Sequence, residues 1–93
     1  MTSSNLENKP GVFNLSKSKF NIKYFNARSL RDKLPSLHSV LYCGLYDVVC
    51  VTETWLNAVY SDSLLDPKSA YHIYRCDRQS LHPSGGVCIF VSR

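Results

Sequence analysis

The sequence predicts a small mixed α/β domain, and three observations carry that prediction. The first is element order. A strand-like segment at 20–26 precedes a segment of helical periodicity at 29–42, and a second strand-like segment follows at 47–53. Strand–helix–strand order favours a right-handed crossover and parallel pairing. The second is a pair of later strand-like runs, Tyr71–Arg75 and Val87–Val91, joined through the turn signal Ser84-Gly85-Gly86. These two can pair as a hairpin. The third is length: 93 residues make one small domain at most. A chain this short buries a smaller fraction of its surface than a larger one and is marginal on its own.

The elements follow from local pattern. Residues 1–19 are polar, hold Pro10-Gly11 and read as a flexible tail. The domain proper runs from 20 to 93. Phe20, Ile22 and Tyr24 alternate with other residues, which is the period of a strand. Leu30, Leu34, Leu37, Val40 and Leu41 recur on one helical face. Pro35 fits a first turn and not an interior, so the regular helix is expected to begin near it. Gly44 is a helix stop. Val48 to Val51 is a short β-branched run, read as a buried strand. Residues 57–68 are polar, contain Asp66-Pro67 and read as a loop.

Composition narrows the classes. An apolar content of 44% with 12% aromatic residues is enough for a core, and nothing after the tail suggests disorder. The net charge of +4 suits a polyanionic partner, but the basic residues are scattered and form no block. The four cysteines, Cys43, Cys50, Cys76 and Cys88, make no CxxC pair, so they do not outline a zinc site. Cys50 and Cys88 sit in strand patterns and read as small buried hydrophobes. No signal-peptide stretch or membrane-spanning run is present, so the expectation is an intracellular protein with reduced thiols and no membrane partner. That reading also disfavours a disulfide-stapled secreted protein. Asn14-Leu15-Ser16 matches a glycosylation sequon that has no meaning without a secretory signal.

Chemistry points to two strand ends. Glu53 follows the second strand at its carboxyl end, where open α/β sheets place ligand sites. A carboxylate there can bind a hard cation such as Mg²⁺ through oxygen. Asn26 ends the first strand, and its amide both donates and accepts. Taken singly, Glu53 reads as a solvated carboxylate and Asn26 as a turn former or cap. Trp55 and Leu56 read as packing residues of the following loop. His38, His72 and His82 lack the partner spacing of a catalytic dyad. Ser29 has no nucleophile-elbow context, and Gly85-Gly86 is too short for a phosphate loop.

The segments Phe20-Asn21-Ile22-Lys23-Tyr24-Phe25-Asn26-Ala27-Arg28-Ser29-Leu30-Arg31 and Asp47-Val48-Val49-Cys50-Val51-Thr52-Glu53-Thr54-Trp55-Leu56, with the two later strands, resemble the endonuclease/exonuclease/phosphatase superfamily. The resemblance is closest to the endonuclease domain of non-LTR (LINE-type) retrotransposons and covers roughly 20–93. It implies a four-layer α/β sandwich, two packed sheets flanked by helices, of which this chain supplies about half. It implies an Mg²⁺- or Mn²⁺-dependent phosphodiesterase with no small-molecule cofactor, which in the parent nicks DNA in the nucleus to prime reverse transcription. Glu53 matches the metal-binding glutamate. Asn26 matches the asparagine that organises metal and scissile phosphate. Arg28, Arg31 and Arg78 are candidates for contact with a nucleic-acid backbone.

The same family carries later Asp-x-Asn and Ser-Asp-His motifs, and this sequence has neither. The base that activates water is therefore absent, and the chain reads as a truncated portion, inactive alone. A half sandwich also leaves an apolar face and an open edge, so the fragment is expected to self-associate. The alternatives are a non-catalytic nucleic-acid-binding remnant and a phosphatase or lipid-phosphodiesterase branch of the same superfamily.

Overall fold

A computed structural model describes residues 19–78 and 84–93. Residues 1–18 of the tail predicted at 1–19, with its sequon, and His82 lie outside the described residues. The element order is β1 (Ile22–Asn26), α1 (Leu34–Leu41), β2 (Val48–Thr52), α2 (Asp62–Leu65), β3 (Tyr71–Cys76) and β4 (Val87–Ser92). The four strands form one mixed sheet in the order β1-β2-β4-β3. As expected, β1 and β2 pair in parallel, and β3 and β4 pair antiparallel. β2 also pairs antiparallel with β4, which makes the sheet continuous.

Helix α1 is shorter than its periodicity suggested. Pro35 occupies its first turn. A proline there has no N–H, and its ring would meet the carbonyl four residues back, so the helix cannot extend toward Ser29. Residues 29–33 form a turn instead, with Leu30 buried at 1% exposure. Lys33 Nζ ties that turn down by donating to the Ala27 carbonyl at 2.7 Å.

The polar stretch 57–68 is not all loop, which corrects the sequence expectation. Ser61 caps a one-turn helix, its hydroxyl accepting from the Leu64 N–H at 3.4 Å. Burial of Leu65 at 0% exposure anchors that turn to the core. A serine cap before paired leucines was the available signal, masked by the surrounding polar residues.

Both helices lie on one face of the sheet. Val49, Val51, Cys88 and Phe90, all at 0% exposure, point to that side and meet Leu37, Leu41 and Leu65. Tyr71 stacks edge-on against Phe90 at 6.2 Å. Cys88, at 0% exposure in this core, is a packing residue, and burial pushes its thiol up to about 12. Cys50 departs from expectation: it faces the opposite side and is only half-buried. The alternation Phe20, Ile22, Tyr24 also points away from the helices, and Ile22 and Tyr24 are 59% and 61% exposed. No described residue covers this second face. No helix among the described residues is long and apolar enough to cross a membrane.

Candidate metal- and phosphate-binding site

Parallel pairing of β1 with β2 brings their carboxyl ends side by side, Asn26 opposite Thr52. Glu53 is the next residue. Asn26 Nδ2 donates to Glu53 Oε2 at 2.7 Å. Asn26 Oδ1 in turn accepts from the Arg28 N–H at 3.2 Å. The asparagine amide is thus oriented from both ends, and it fixes the carboxylate. Two residues separated by 27 positions form one site.

The backbone here is unusual. Five described non-glycine residues have positive φ, and four of them are Arg28 (47°), Ser29 (84°), Glu53 (52°) and Trp55 (58°). Each costs on the order of 1–2 kcal/mol for an L-residue. Strain of this kind persists where surrounding contacts over-determine it, and it clusters at functional sites. Those contacts are visible. Ser29 N–H donates to the Glu53 carbonyl at 2.8 Å, and Leu30 N–H to the Thr54 carbonyl at 2.8 Å. From the other side, Trp55 N–H donates to Gly85 and Thr54 N–H to Gly86, at 2.8 and 3.3 Å.

Gly85 and Gly86, with φ of 94° and 93°, therefore do more than turn the chain. Their carbonyls form a ledge under the Glu53 turn. A Cβ on Gly86 would lie 2.6 Å from Thr54 Oγ1, a side chain at 0% exposure. Thr54 and this glycine pair position the site, and sequence reasoning missed them. The signal was present as Gly-Gly, but its partner lay 30 residues away.

The arginines divide. Arg28 is exposed, and its side chain has no partner among the described residues. It borders an open cleft of about 490 Å³ with Ser29, Arg31, Asp32, Lys33 and Trp55. Arg31 is already engaged. Its Nε donates to the Trp55 carbonyl at 2.6 Å, and its guanidinium lies over the Tyr60 ring at 5.7 Å. That arrangement makes Arg31 a brace of the Trp55 loop. Arg78 is exposed, with its stem beside Gly85. Leu56 packs the loop as expected, at 3% exposure. Trp55 Nε1 is buried with no partner among the described residues. His38 is structural, with Nε2 3.0 Å from the Leu64 carbonyl.

A second carboxylate escaped sequence reasoning. Asp66 is 3% exposed. Its Oδ1 accepts from the Tyr42 hydroxyl and its Oδ2 from the Tyr71 N–H at 2.8 Å. Burial alone would push this carboxyl up. The bonds from Tyr42, Tyr71 and the Ala70 backbone, with the charge of Arg93, outweigh burial and hold it below the usual range. Arg75 is a cation just as fully engaged, paired with Asp77 and Asp62. All five of its N–H donors are used, by both Asp77 oxygens, Asp62 and the carbonyls of Tyr60 and Asn57. Its carboxylate partners, Asp77 first, raise its pKa against the cost of burial.

The donor set at Asn26 and Glu53 fits a hard divalent cation of the Mg²⁺ kind. Glu53 spends Oε2 on Asn26 and keeps Oε1. Mg²⁺ typically takes one or two carboxylates and completes its shell with water and substrate phosphate. No group of three His, Cys, Asp or Glu side chains suited to a metal occurs among the described residues, and Glu53 is the carboxylate that Asn26 holds. Comparison of the chain with protein-family models, with curated proteins and with solved structures found no match.

Proposed function

We propose that Asn26 and Glu53 form the metal- and phosphate-binding side of a divalent-metal-dependent phosphodiesterase, of the endonuclease/exonuclease/phosphatase type and closest to non-LTR retrotransposon endonucleases. The observation that carries this reading is the 2.7 Å Asn26–Glu53 bond at the carboxyl ends of parallel strands, on strained backbone. The mixed sheet with both helices on one face supports it as one half of a two-sheet sandwich. Among the described residues the second face and the β1 edge are uncovered, as the inner side of one sheet in such a sandwich is before a second sheet packs on it.

When bound, the cation would offset charge that grows on the phosphate oxygens as the ester is attacked. Glu53 would hold it through its remaining oxygen. Asn26 keeps the carboxylate in place and has a second amide hydrogen for a phosphate oxygen. Arg28 would meet a neighbouring phosphate of a DNA strand from the rim of the cleft. Asp-x-Asn and Ser-Asp-His motifs are absent from the sequence, so this reading gives Asn26, Glu53 and Arg28 binding and orienting roles and assigns no water-activating base. No turnover is expected from this chain by itself.

Binding is therefore the test. Addition of Mn²⁺ should broaden the amide NMR signals of residues 26–29 and 53–55 selectively, Mg²⁺ should compete, and Glu53→Gln should abolish the effect. Uniform broadening, or broadening that survives Glu53→Gln, would remove the proposal.

A further inference from the structure

The outward face of the sheet is a regular array. Strand register places Ile22, Val48, Val91 and His72 in one row, Tyr24, Cys50, Ile89 and Tyr74 in the next, and Asn26, Thr52, Val87 and Cys76 in the third. None of these positions carries Lys, Arg, Asp or Glu. Ile22, Tyr24, Tyr74 and Val87 are 59%, 61%, 61% and 43% exposed. Buried aromatic side chains cover ~150–250 Å² each, so these four residues expose on the order of 400 Å². That already falls within the range of the largest patch on a typical monomer, which commonly marks an interaction site.

We infer that this face is closed by the same face of a second copy of the chain, sheet on sheet. Three features favour that occupant. The twelve positions of the array carry no Lys, Arg, Asp or Glu, and the cation Arg93 sits at its edge with Nη1 3.4 Å from His72 Nδ1, so the central rows of two copies meet without like-charge repulsion. Its polar atoms are partly satisfied in place: the Tyr24 hydroxyl lies 3.2 Å from Thr52 Oγ1, so the ring can be covered without stranding its oxygen. Area is the third feature. The four exposed residues alone offer about half of the ~800 Å² that each partner gives to a standard interface, and the half-buried residues of the same rows, Val48, Cys50, Thr52, Ile89 and Val91, add to it. Two sheets packed ~10 Å apart and rotated by ~30° interdigitate such rows. A two-fold axis makes the contact isologous and closed, so association stops at the dimer. The inference does not depend on the hydrolytic reading.

Sedimentation equilibrium of the 93-residue chain across micromolar to submillimolar concentration tests it. The expected result is a monomer–dimer equilibrium. Tyr24→Lys and Tyr74→Lys should each weaken it at least tenfold, because a two-fold contact is hit twice. Val59→Lys, at an 80% exposed apolar loop residue off the sheet, should leave it unchanged. Circular dichroism verifies that each variant is folded. Alkylation supplies a readout without mutation. Cys50, in the middle row, should react more slowly as concentration rises, while the exposed Cys43 on the helix side should not. A monomer throughout with a concentration-independent Cys50 rate would overturn the inference. So would mass growth beyond the dimer, or a Tyr24→Lys variant no weaker than Val59→Lys.

Discussion

Asp66 and Glu53 are both carboxylates beside a sheet, and their surroundings assign them opposite work. Asp66 sits in a connector that is fully satisfied. Both oxygens accept hydrogen bonds, and the sole non-glycine residue of positive φ in this part is Ser69. Glu53 has one oxygen held and, among the described residues, one left, on a turn with positive φ at Glu53 and Trp55 that is hydrogen-bonded to a second such turn at Arg28 and Ser29. A carboxylate whose bonding is complete holds a fold together. One left incomplete on an over-determined backbone has capacity for a ligand.

The largest expected effect is at the closed end of this comparison. Asp66→Ala leaves the Tyr42 hydroxyl and the Tyr71 and Ala70 N–H groups without their acceptor. At ~1–3 kcal/mol per stranded group, partly relieved by water, urea denaturation should show a loss of about 3–5 kcal/mol. Gly86→Ala should follow at about 2–3 kcal/mol, from a positive φ and the contact with Thr54. Its loss should be accompanied by perturbed NMR shifts at 53–55, since the glycine ledge supports that turn. Arg75→Met keeps the packed stem but loses five donors, and a cost of about 2 kcal/mol is expected.

Acid sharpens the contrast. The Asp66 carboxyl is held below its ordinary value of 3.8. Its contribution is complete above that pH and is lost as pH falls through the folded-state value. Asp66→Asn should therefore narrow the difference from the parent as pH drops below about 3.8, in denaturation series between pH 2.5 and 6. The smallest stability effect is expected at Glu53→Gln, under about 1 kcal/mol, because the amide can still accept from Asn26. If Glu53→Gln cost as much as Asp66→Ala, the division between holding and binding carboxylates would collapse.

The sequence by itself determined the strands and the α/β class, and a resemblance, not local pattern, singled out Asn26 and Glu53 as a pair. Alternation and β-branched runs are local, so strand ends at Asn26 and just before Glu53 could be read from neighbours alone. Pro35 likewise set the start of α1 to within a residue. Tertiary structure decided the rest, because the deciding partners are distant in sequence. Asp66 reads as a turn residue before proline until Tyr42 and Tyr71 close around it. Arg31 reads as a free cation until Tyr60 and the Trp55 carbonyl take it up. Gly85-Gly86 reads as a hairpin turn until its carbonyls meet residues 54 and 55. The alternation of Phe20, Ile22 and Tyr24 gives a strand but not its inner side. Period two is the same for both faces of a sheet, and only the placement of the helices on one face made the other the exposed one.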